Sequence, residues 1–192
     1  MASDRTMTVY GVAGTGHAVG TTHFAVLLAG FLSDVRHRKV SVLEWNRSGD
    51  FMKIRSVHQK NPFRQYPPGV FCIKAEEYVP AAGRKDLLQC RDRGRDAVVI
   101  DFGVYRESME DEFRRCDRRF VLGGVNDWQI TDFAAFAADR RISAECLCSF
   151  GGETQIKLLE RYLGIRVRHI PWSPEAGLIT AELLRFFGSL IP

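Results

Sequence analysis

The sequence predicts an α/β fold, in which a doubly wound, mainly parallel sheet is covered by helices to give a three-layer sandwich. Short runs rich in valine and isoleucine are apolar on both faces, as buried parallel strands are. They alternate with helix-length amphipathic stretches, and this β-α alternation is typical of a doubly wound sheet. With 192 residues, the chain is predicted to form one domain spanning 1–192.

Seven apolar runs predict strands, and six amphipathic stretches predict helices. The predicted strands are 7–13, 39–45, 69–74, 96–102, 118–124, 143–150 and 165–171. The predicted helices are 21–34, 84–93, 107–116, 128–140, 152–163 and 174–189. Residues 46–69 contain Asn-Pro and Pro-Pro steps, which predict an irregular excursion with room for a short helix.

Composition narrows the classes of function. The formal net charge is only +4, and two of the three basic clusters are interleaved with acidic residues, which argues against a nucleic-acid-binding surface. The N-terminus lacks a secretory pattern, and no apolar run reaches the ~18 to 20 residues of a membrane span. The last helix has little positive charge for a lipid surface, so membrane contact is at most peripheral. A cytoplasmic protein is expected.

The five cysteines predict free thiols rather than a metal site. They include no CxxC pair, and the two closest, Cys146 and Cys148, would share one face of a strand. Neither has a local partner for a metal ion. Reduced thiols fit a cytoplasmic protein.

The stretch "AGTGHAVGTTHFAVLLAGFL", residues 13–32, predicts a phosphate-binding loop between a strand and a helix. Glycines let backbone N–H groups surround phosphate oxygens, and the helix N-terminus adds its positive dipole end. With Gly20 as the second glycine of the loop, Thr21 stands where the lysine belongs and Thr22 where the Mg²⁺-binding hydroxyl belongs. The first glycine position falls on Thr15, with Gly14 one residue early.

The candidate site consists of this loop and one carboxylate. Asp101 follows the strand run "VVI", where a carboxylate either caps the next turn or binds Mg²⁺ together with Thr22. His17 and His23 are poor substitutes for the lysine, because a helix N-terminus lowers the pKa of a histidine. The predicted nucleotide-binding residues are Gly14, Thr15, Gly16, His17, Ala18, Val19, Gly20, Thr21, Thr22 and Asp101.

Two other features follow the ends of predicted strands. The glycines of the loop also suggest a dinucleotide-binding turn, with Glu44 on a ribose hydroxyl, although their spacing is one residue longer than G-x-G-x-x-G. Trp45, Trp128 and Trp172 would lie at the carboxyl edge of the sheet, where they would either form an aromatic rim or pack at the edge of the core.

The sequence resembles the ParA/MinD family of deviant Walker A ATPases, a SIMIBI-class group of P-loop proteins. The resemblance rests on "GTTHFAVLLAGFL" after the loop, on "LEWN" at the end of the second strand, and on "VVIDFG" around Asp101. The signature lysine of the family falls on Gly16 and its P-loop lysine on Thr21, so both lysines are absent. The resemblance also implies that segments 121–133 and 167–177 lie near an adenine.

The resemblance implies ATP-dependent dimerisation and the positioning of a partner protein. Without the two lysines, the leading interpretation is a degenerate relative, a pseudo-ATPase that acts as a binding, localisation or regulatory module. It would hold ATP and Mg²⁺ weakly and would contact a protein partner or form a homodimer. The competing interpretations are an active ATPase with an atypical loop and a dinucleotide-binding protein.

Overall fold

A single eight-stranded sheet organises the part of the chain that the structure, a computed structural model, describes: residues 6–58, 69–139, 141–175 and 177–191. Its strands are β1 (Thr8–Gly14), β2 (Val40–Glu44), β3 (Phe71–Ile73), β4 (Glu76–Val79), β5 (Ala97–Val104), β6 (Arg118–Gly123), β7 (Glu145–Cys148) and β8 (Val167–His169). They lie in the order β3-β4-β2-β5-β1-β6-β7-β8, all parallel to their neighbours except β3, which is antiparallel to β4. The predicted fold class is confirmed.

Helices cover both faces of this sheet. They are α1 (Thr21–Gly30), α2 (Asp50–His58), α3 (Arg84–Asp92), α4 (Glu110–Arg115), α5 (Asp127–Ala138), α6 (Glu153–Leu163) and α7 (Ala181–Leu190). A π-helical turn, Phe31–Val35, continues α1, and a 3₁₀ turn, Glu107–Met109, precedes α4. None of the helices in the described ranges has the length and apolarity needed to cross a bilayer.

Helix α1 is buried on nearly all sides, which explains why its sequence is apolar almost all round. One face lies on the sheet, where the Phe24 ring meets Phe120 of β6 at 5.5 Å between centroids. The other face meets α7, whose Phe187 ring is 5.7 Å from Phe24 and 5.0 Å from Phe31. The C-terminal helix therefore docks on the core through α1.

The structure differs from the sequence-based prediction at two elements. The strand Glu76–Val79 was missed, because two adjacent glutamates do not look like a buried strand. Glu77 is buried with Arg93 at 2.7 Å and Arg95 at 2.5 Å, so its charge is compensated. The last helix begins at Ala181 rather than at residue 174, and the Thr180 hydroxyl caps it by accepting from the Leu183 N–H (3.2 Å).

The irregular excursion predicted for 46–69 contains the short helix α2, Asp50–His58. Residues 59–68 of that excursion lie outside the described residues. The described cysteines are all free thiols, three buried and two half-buried.

The connections place a crevice at the carboxyl end of β1. From β1 the chain passes to β2, β4 and β5 on one side of the sheet, and then crosses to β6, β7 and β8 on the other. Such a reversal of strand order opens a crevice beyond the carboxyl ends of the strands, where open α/β sheets bind ligands. The glycine-rich loop follows β1 into this crevice.

Candidate functional site

The loop between β1 and α1 is anchored on both neighbouring strands. The Tyr105 N–H donates to Gly14 O (2.8 Å) from the β5 side, and the Thr15 N–H donates to Leu122 O (2.8 Å) of β6. The loop then reaches Gly20, which is left-handed at φ +93°. A Cβ on Gly20 would lie 2.8 Å from Ser149 Oγ, so both the backbone angle and the close approach require glycine here.

The close contacts at the start of the loop require a glycine at position 14, one residue before the position that the P-loop spacing assigns to Thr15. A Cβ on Gly14 would lie 2.7 Å from Val19 Cγ2 and would also collide with Thr21 Oγ1. Thr21 is only 8% exposed and its hydroxyl lies against Gly14. The position that a lysine occupies in an intact P-loop therefore holds a short, neutral side chain.

Thr22 and Asp101 meet at the start of α1. The Thr22 hydroxyl donates to Asp101 Oδ2 (2.7 Å), and the Gly103 N–H donates to Oδ1 (2.9 Å). Asp101 is fully buried, and this burial raises the pKa of its carboxyl from 3.8 to about 6, although the two hydrogen bonds act in the opposite direction. A buried carboxylate with a raised pKa gains most from a nearby cation.

Thr22 and Asp101 are suited to bind Mg²⁺ only together with a phosphate group that supplies further ligands. In the described ranges, no group of three or more His, Cys, Asp or Glu residues could hold a metal ion by itself. Mg²⁺ is usually bound through one or two protein oxygens together with substrate phosphates and waters. The Thr22 hydroxyl and the Asp101 carboxylate are hard oxygen donors that meet this requirement.

A cavity of about 500 Å³ opens in front of the loop. The rest of its lining comes from the segments after β2 and β5 and includes Asn46, Arg47 and Arg106. His23 also lines the cavity, but burial lowers the pKa of this histidine below 6.5, which leaves it mostly neutral at pH 7. On the loop itself, a Cβ at Gly16 would lie 3.8 Å from Asp132 Oδ2, so an acidic side chain lies near this end of the loop.

A second, more apolar cavity of about 310 Å³ adjoins the loop at Gly20. Phe24, Phe150 and Trp172 line it, and Trp172 remains 70% exposed. The buried Ser149 Oγ, also in its wall, has no hydrogen-bond partner among the described residues.

The structure brings the predicted loop and Asp101 together, but it does not bring Glu44 to the site. Glu44 is 1% exposed, and its two oxygens accept from the backbone N–H groups of Phe51 and Ala81, each at 3.2 Å. A carboxylate enclosed in this way cannot reach a ribose, which removes the support for a dinucleotide-binding turn.

Sequence reasoning missed Arg47 and Arg106. Both follow strands that end at the carboxyl edge, and that position was the available signal. Of the tryptophans considered as a rim, Trp45 packs on Phe102 (5.9 Å between centroids), whereas Trp128 is 75% exposed.

Comparisons with known proteins identify the fold. No sequence-family model matches this chain, and no curated protein matches it by sequence. Among solved structures, it is similar to a ParA family ATPase from Chlorobium tepidum TLS, with TM-score 0.67 and 12% identity over 96% of this chain and 98% of that chain. A plasmid partition protein from Borrelia burgdorferi B31, bound to AMPPNP, gives TM-score 0.64 and 15% identity over 97% and 100%.

The MinC:MinD cell division protein complex of Aquifex aeolicus provides a third similar chain, with TM-score 0.59 and 12% identity over 93% of this chain and 85% of that chain. These identities are low, so the likeness concerns the fold. The resemblance noted in the sequence is confirmed at that level: this chain has the fold of the ParA/MinD partition and cell-division ATPases.

Proposed function

We propose that this protein is a ParA/MinD-like module that binds an adenine nucleotide with Mg²⁺, hydrolyses it inefficiently or not at all, and uses binding to control a protein contact. One observation carries the proposal. The Thr22–Asp101 hydrogen bond of 2.7 Å keeps a Mg²⁺-compatible pair at the end of the loop, while the adjacent lysine position holds the buried, neutral Thr21.

Binding needs fewer groups than hydrolysis, and the loop retains them. The N–H groups of Thr21, Thr22 and His23 precede the first bond within α1, which runs from the Phe24 N–H to Gly20 O (2.9 Å). Such unpaired helix-start amides, with the positive end of the helix dipole, favour a phosphate. When bound, Mg²⁺ would neutralise phosphate charge, and Thr22 and Asp101 would hold it.

The apolar cavity beside Gly20 suits the base of the nucleotide. It borders the phosphate loop at Gly20 and is lined by the aromatic side chains of Phe24, Phe150 and Trp172, on which a base can stack. The similar Borrelia chain was solved with AMPPNP, an ATP analogue, which supports the choice of an adenine nucleotide.

Inefficient hydrolysis follows from the missing positive charge. Phosphoryl transfer is accelerated mainly by electrostatic stabilisation of the transferred group, so loss of a fixed cation lowers the rate more than the affinity. Losing one charge-assisted contact weakens binding by about 1.5 to 3 kcal/mol. His23 does not replace that cation, because burial keeps it mostly neutral.

A protein contact fits the aromatic side chains exposed at the carboxyl edge. Trp128, Phe150 and Trp172 are 75%, 53% and 70% exposed around the loop. Exposed aromatic residues of this kind are enriched at protein interfaces. One similar chain was solved in a complex with a second protein, MinC, and this supports either a partner protein or a second copy of this chain.

Thermal unfolding with ATP and Mg²⁺ tests the nucleotide. If the dissociation constant is a hundredth of the ATP concentration, binding stabilises the protein by about 2.7 kcal/mol, a rise of roughly 5–10 °C for a chain of this size. The Thr22→Ala variant is expected to lose this rise. Thr154→Ala is the matched control, because Thr154 is also the second residue of its helix and is exposed.

Phosphate release, measured on the same samples, tests hydrolysis. We expect a rate close to that of buffer, and Thr21→Lys is expected to raise the affinity for ATP. No thermal shift at millimolar ATP would contradict nucleotide binding. Rapid turnover by the wild-type protein would instead make it an active ATPase with an atypical loop.

A further inference from the structure

The cavity in front of the loop has a wall that carries two arginines. Arg47 follows β2 and Arg106 follows β5, and both residues are exposed and line this cavity of about 500 Å³ together with the loop. Within the described part of the chain, neither guanidinium forms an ion pair or a hydrogen bond. Two free cations therefore face a phosphate loop that has none.

Hydrogen bonds hold the backbone around Arg47. On one side, Asn46 Nδ2 donates to Asp101 O (3.2 Å), and Asn46 Oδ1 accepts from the Ser48 N–H (2.8 Å). On the other side, the Ser48 hydroxyl donates to Glu44 Oε1 (3.0 Å). Arg47 itself is left-handed, at φ +57°, which is uncommon for this residue type. The side chain thus starts from a fixed point on the cavity rim.

The backbone around Arg106 is held as firmly. The Tyr105 N–H donates to Gly14 O (2.8 Å) at the root of the loop, and the Tyr105 ring packs edge-on against Phe113 (5.9 Å) and Phe136 (5.3 Å). Arg106 O accepts from the Met109 N–H (2.9 Å) at the start of the 3₁₀ turn. Both arginines consequently extend from ordered segments on the same wall.

The acidic groups of the cavity are already engaged. Asp50 pairs with Lys53 (Nζ to Oδ1, 2.8 Å). Asp101 accepts from Thr22 and from the Gly103 N–H. A third carboxylate, Asp132, lies near the loop at Gly16. Within the described part of the chain neither arginine pairs with it, with Asp50 or with Asp101, and an arginine fork matches the oxygens of a phosphoryl group in a bidentate manner.

From this arrangement we infer that Arg47 and Arg106 bind the polyphosphate of the ligand and supply, from the segments after β2 and β5, the positive charge that the loop lacks. The inference rests on the proposed function, because it assumes that an anion occupies the loop. Three sets of donors, the loop amides and the two guanidiniums, suit a chain of two or more phosphoryl groups rather than a single phosphate.

Isothermal titration of Mg²⁺-ATP into Arg47→Gln and Arg106→Gln tests the assignment. Each variant is expected to bind about ten-fold more weakly or worse, the factor that a lost charge-assisted hydrogen bond gives. Each should also show a weaker dependence of affinity on salt. Arg91→Gln is the matched control, because Arg91 is exposed near the end of α3 and does not line the cavity. This substitution removes the same charge, and the affinity for Mg²⁺-ATP should change less than two-fold.

Binding of sodium tripolyphosphate shows whether the arginines recognise a free polyphosphate or only the polyphosphate of a nucleotide. Arginine-dependent binding of tripolyphosphate means that a free polyphosphate suffices, and arginine-dependent binding of ATP alone means that the nucleoside is needed; both results support the assignment. Wild-type affinity in both arginine variants would overturn it and leave the proposed function intact. Failure of the wild-type protein to bind either ligand would overturn both.

Discussion

Replacing Asp101 with asparagine should stabilise the ligand-free protein at neutral pH. Asp101 is fully buried, and its pKa is raised from 3.8 to about 6 by that burial. The ionised carboxylate therefore costs the folded state about 3 kcal/mol. Asparagine resembles the protonated form: its oxygen still accepts from the Gly103 N–H, and its amide reaches the Thr22 hydroxyl. A gain approaching about 3 kcal/mol is expected, or roughly 6–12 °C in Tm.

The raised pKa of Asp101 determines how the stability of the wild-type protein changes with pH. Below pH 3.8 Asp101 is protonated in both states and costs nothing. Between 3.8 and about 6 the folded protein binds more protons than the unfolded chain, so wild-type stability falls as pH rises. The difference between Asp101→Asn and wild type should therefore grow from near zero at pH 4 to its full size above pH 6.

Urea unfolding of both proteins between pH 4 and pH 8 measures this difference. Asp139→Asn is the control: Arg141 lowers the pKa of Asp139 to about 2, but the pair lies at the surface, so this substitution should produce no gain in stability at any pH. A variant at Asp101 that is equal to or less stable than wild type at pH 8, or a difference that does not change with pH, would refute the reasoning.

Three further substitutions test packing and charge, each by urea unfolding. Gly123→Ala should destabilise the protein by about 1–3 kcal/mol, since a Cβ there would overlap the Phe133 ring. An unchanged free energy of unfolding would mean that β6 and α5 can move apart to make room for the methyl group. Gly188→Ala should instead stabilise it by about 0.5–1 kcal/mol, because nothing lies within 4 Å of the new methyl group in α7, and a loss would contradict this view. Glu77→Ala should cost about 3–5 kcal/mol, because two arginines then lack their buried partner, and a loss under 1 kcal/mol would show that water replaces it.

Local patterns were sufficient to predict most of the sheet and the position of the loop. Runs such as "DAVVIDF" are apolar on both faces because β5 lies in the middle of the sheet with helices on both sides. The glycines at 14 and 20 predicted a tight turn, and both positions prove too crowded for a Cβ. The distant contacts at these positions leave a local trace in the choice of residue type, which a sequence pattern can represent.

The parts that sequence reasoning missed depend on contacts between distant residues. Strand β4 contains two glutamates, and only the fold reveals that Arg93 and Arg95 compensate Glu77. Glu44 had the right spacing for a ribose ligand, but it is enclosed by two backbone amides that approach from other segments. Arg47 and Arg106 are 59 positions apart, and only strand order brings them to one cavity.

Under the proposed function, the buried carboxylate of Asp101 links ligand binding to the stability of the fold, and this link needs no hydrolysis. Asp101 is held where its charge is unfavourable, so a Mg²⁺ ion beside it relieves a cost that the ligand-free protein carries. Binding and stability are then coupled in both directions: a ligand stabilises the carboxyl edge, and a partner that requires this edge raises the affinity for the ligand.

A module of this kind returns to its free state when the ligand dissociates. A weaker phosphate loop shortens the bound lifetime, because affinity differences within one site reside mainly in the dissociation rate. Under the proposed function, the neutral Thr21 therefore favours reversible sensing of the nucleotide over a hydrolytic cycle.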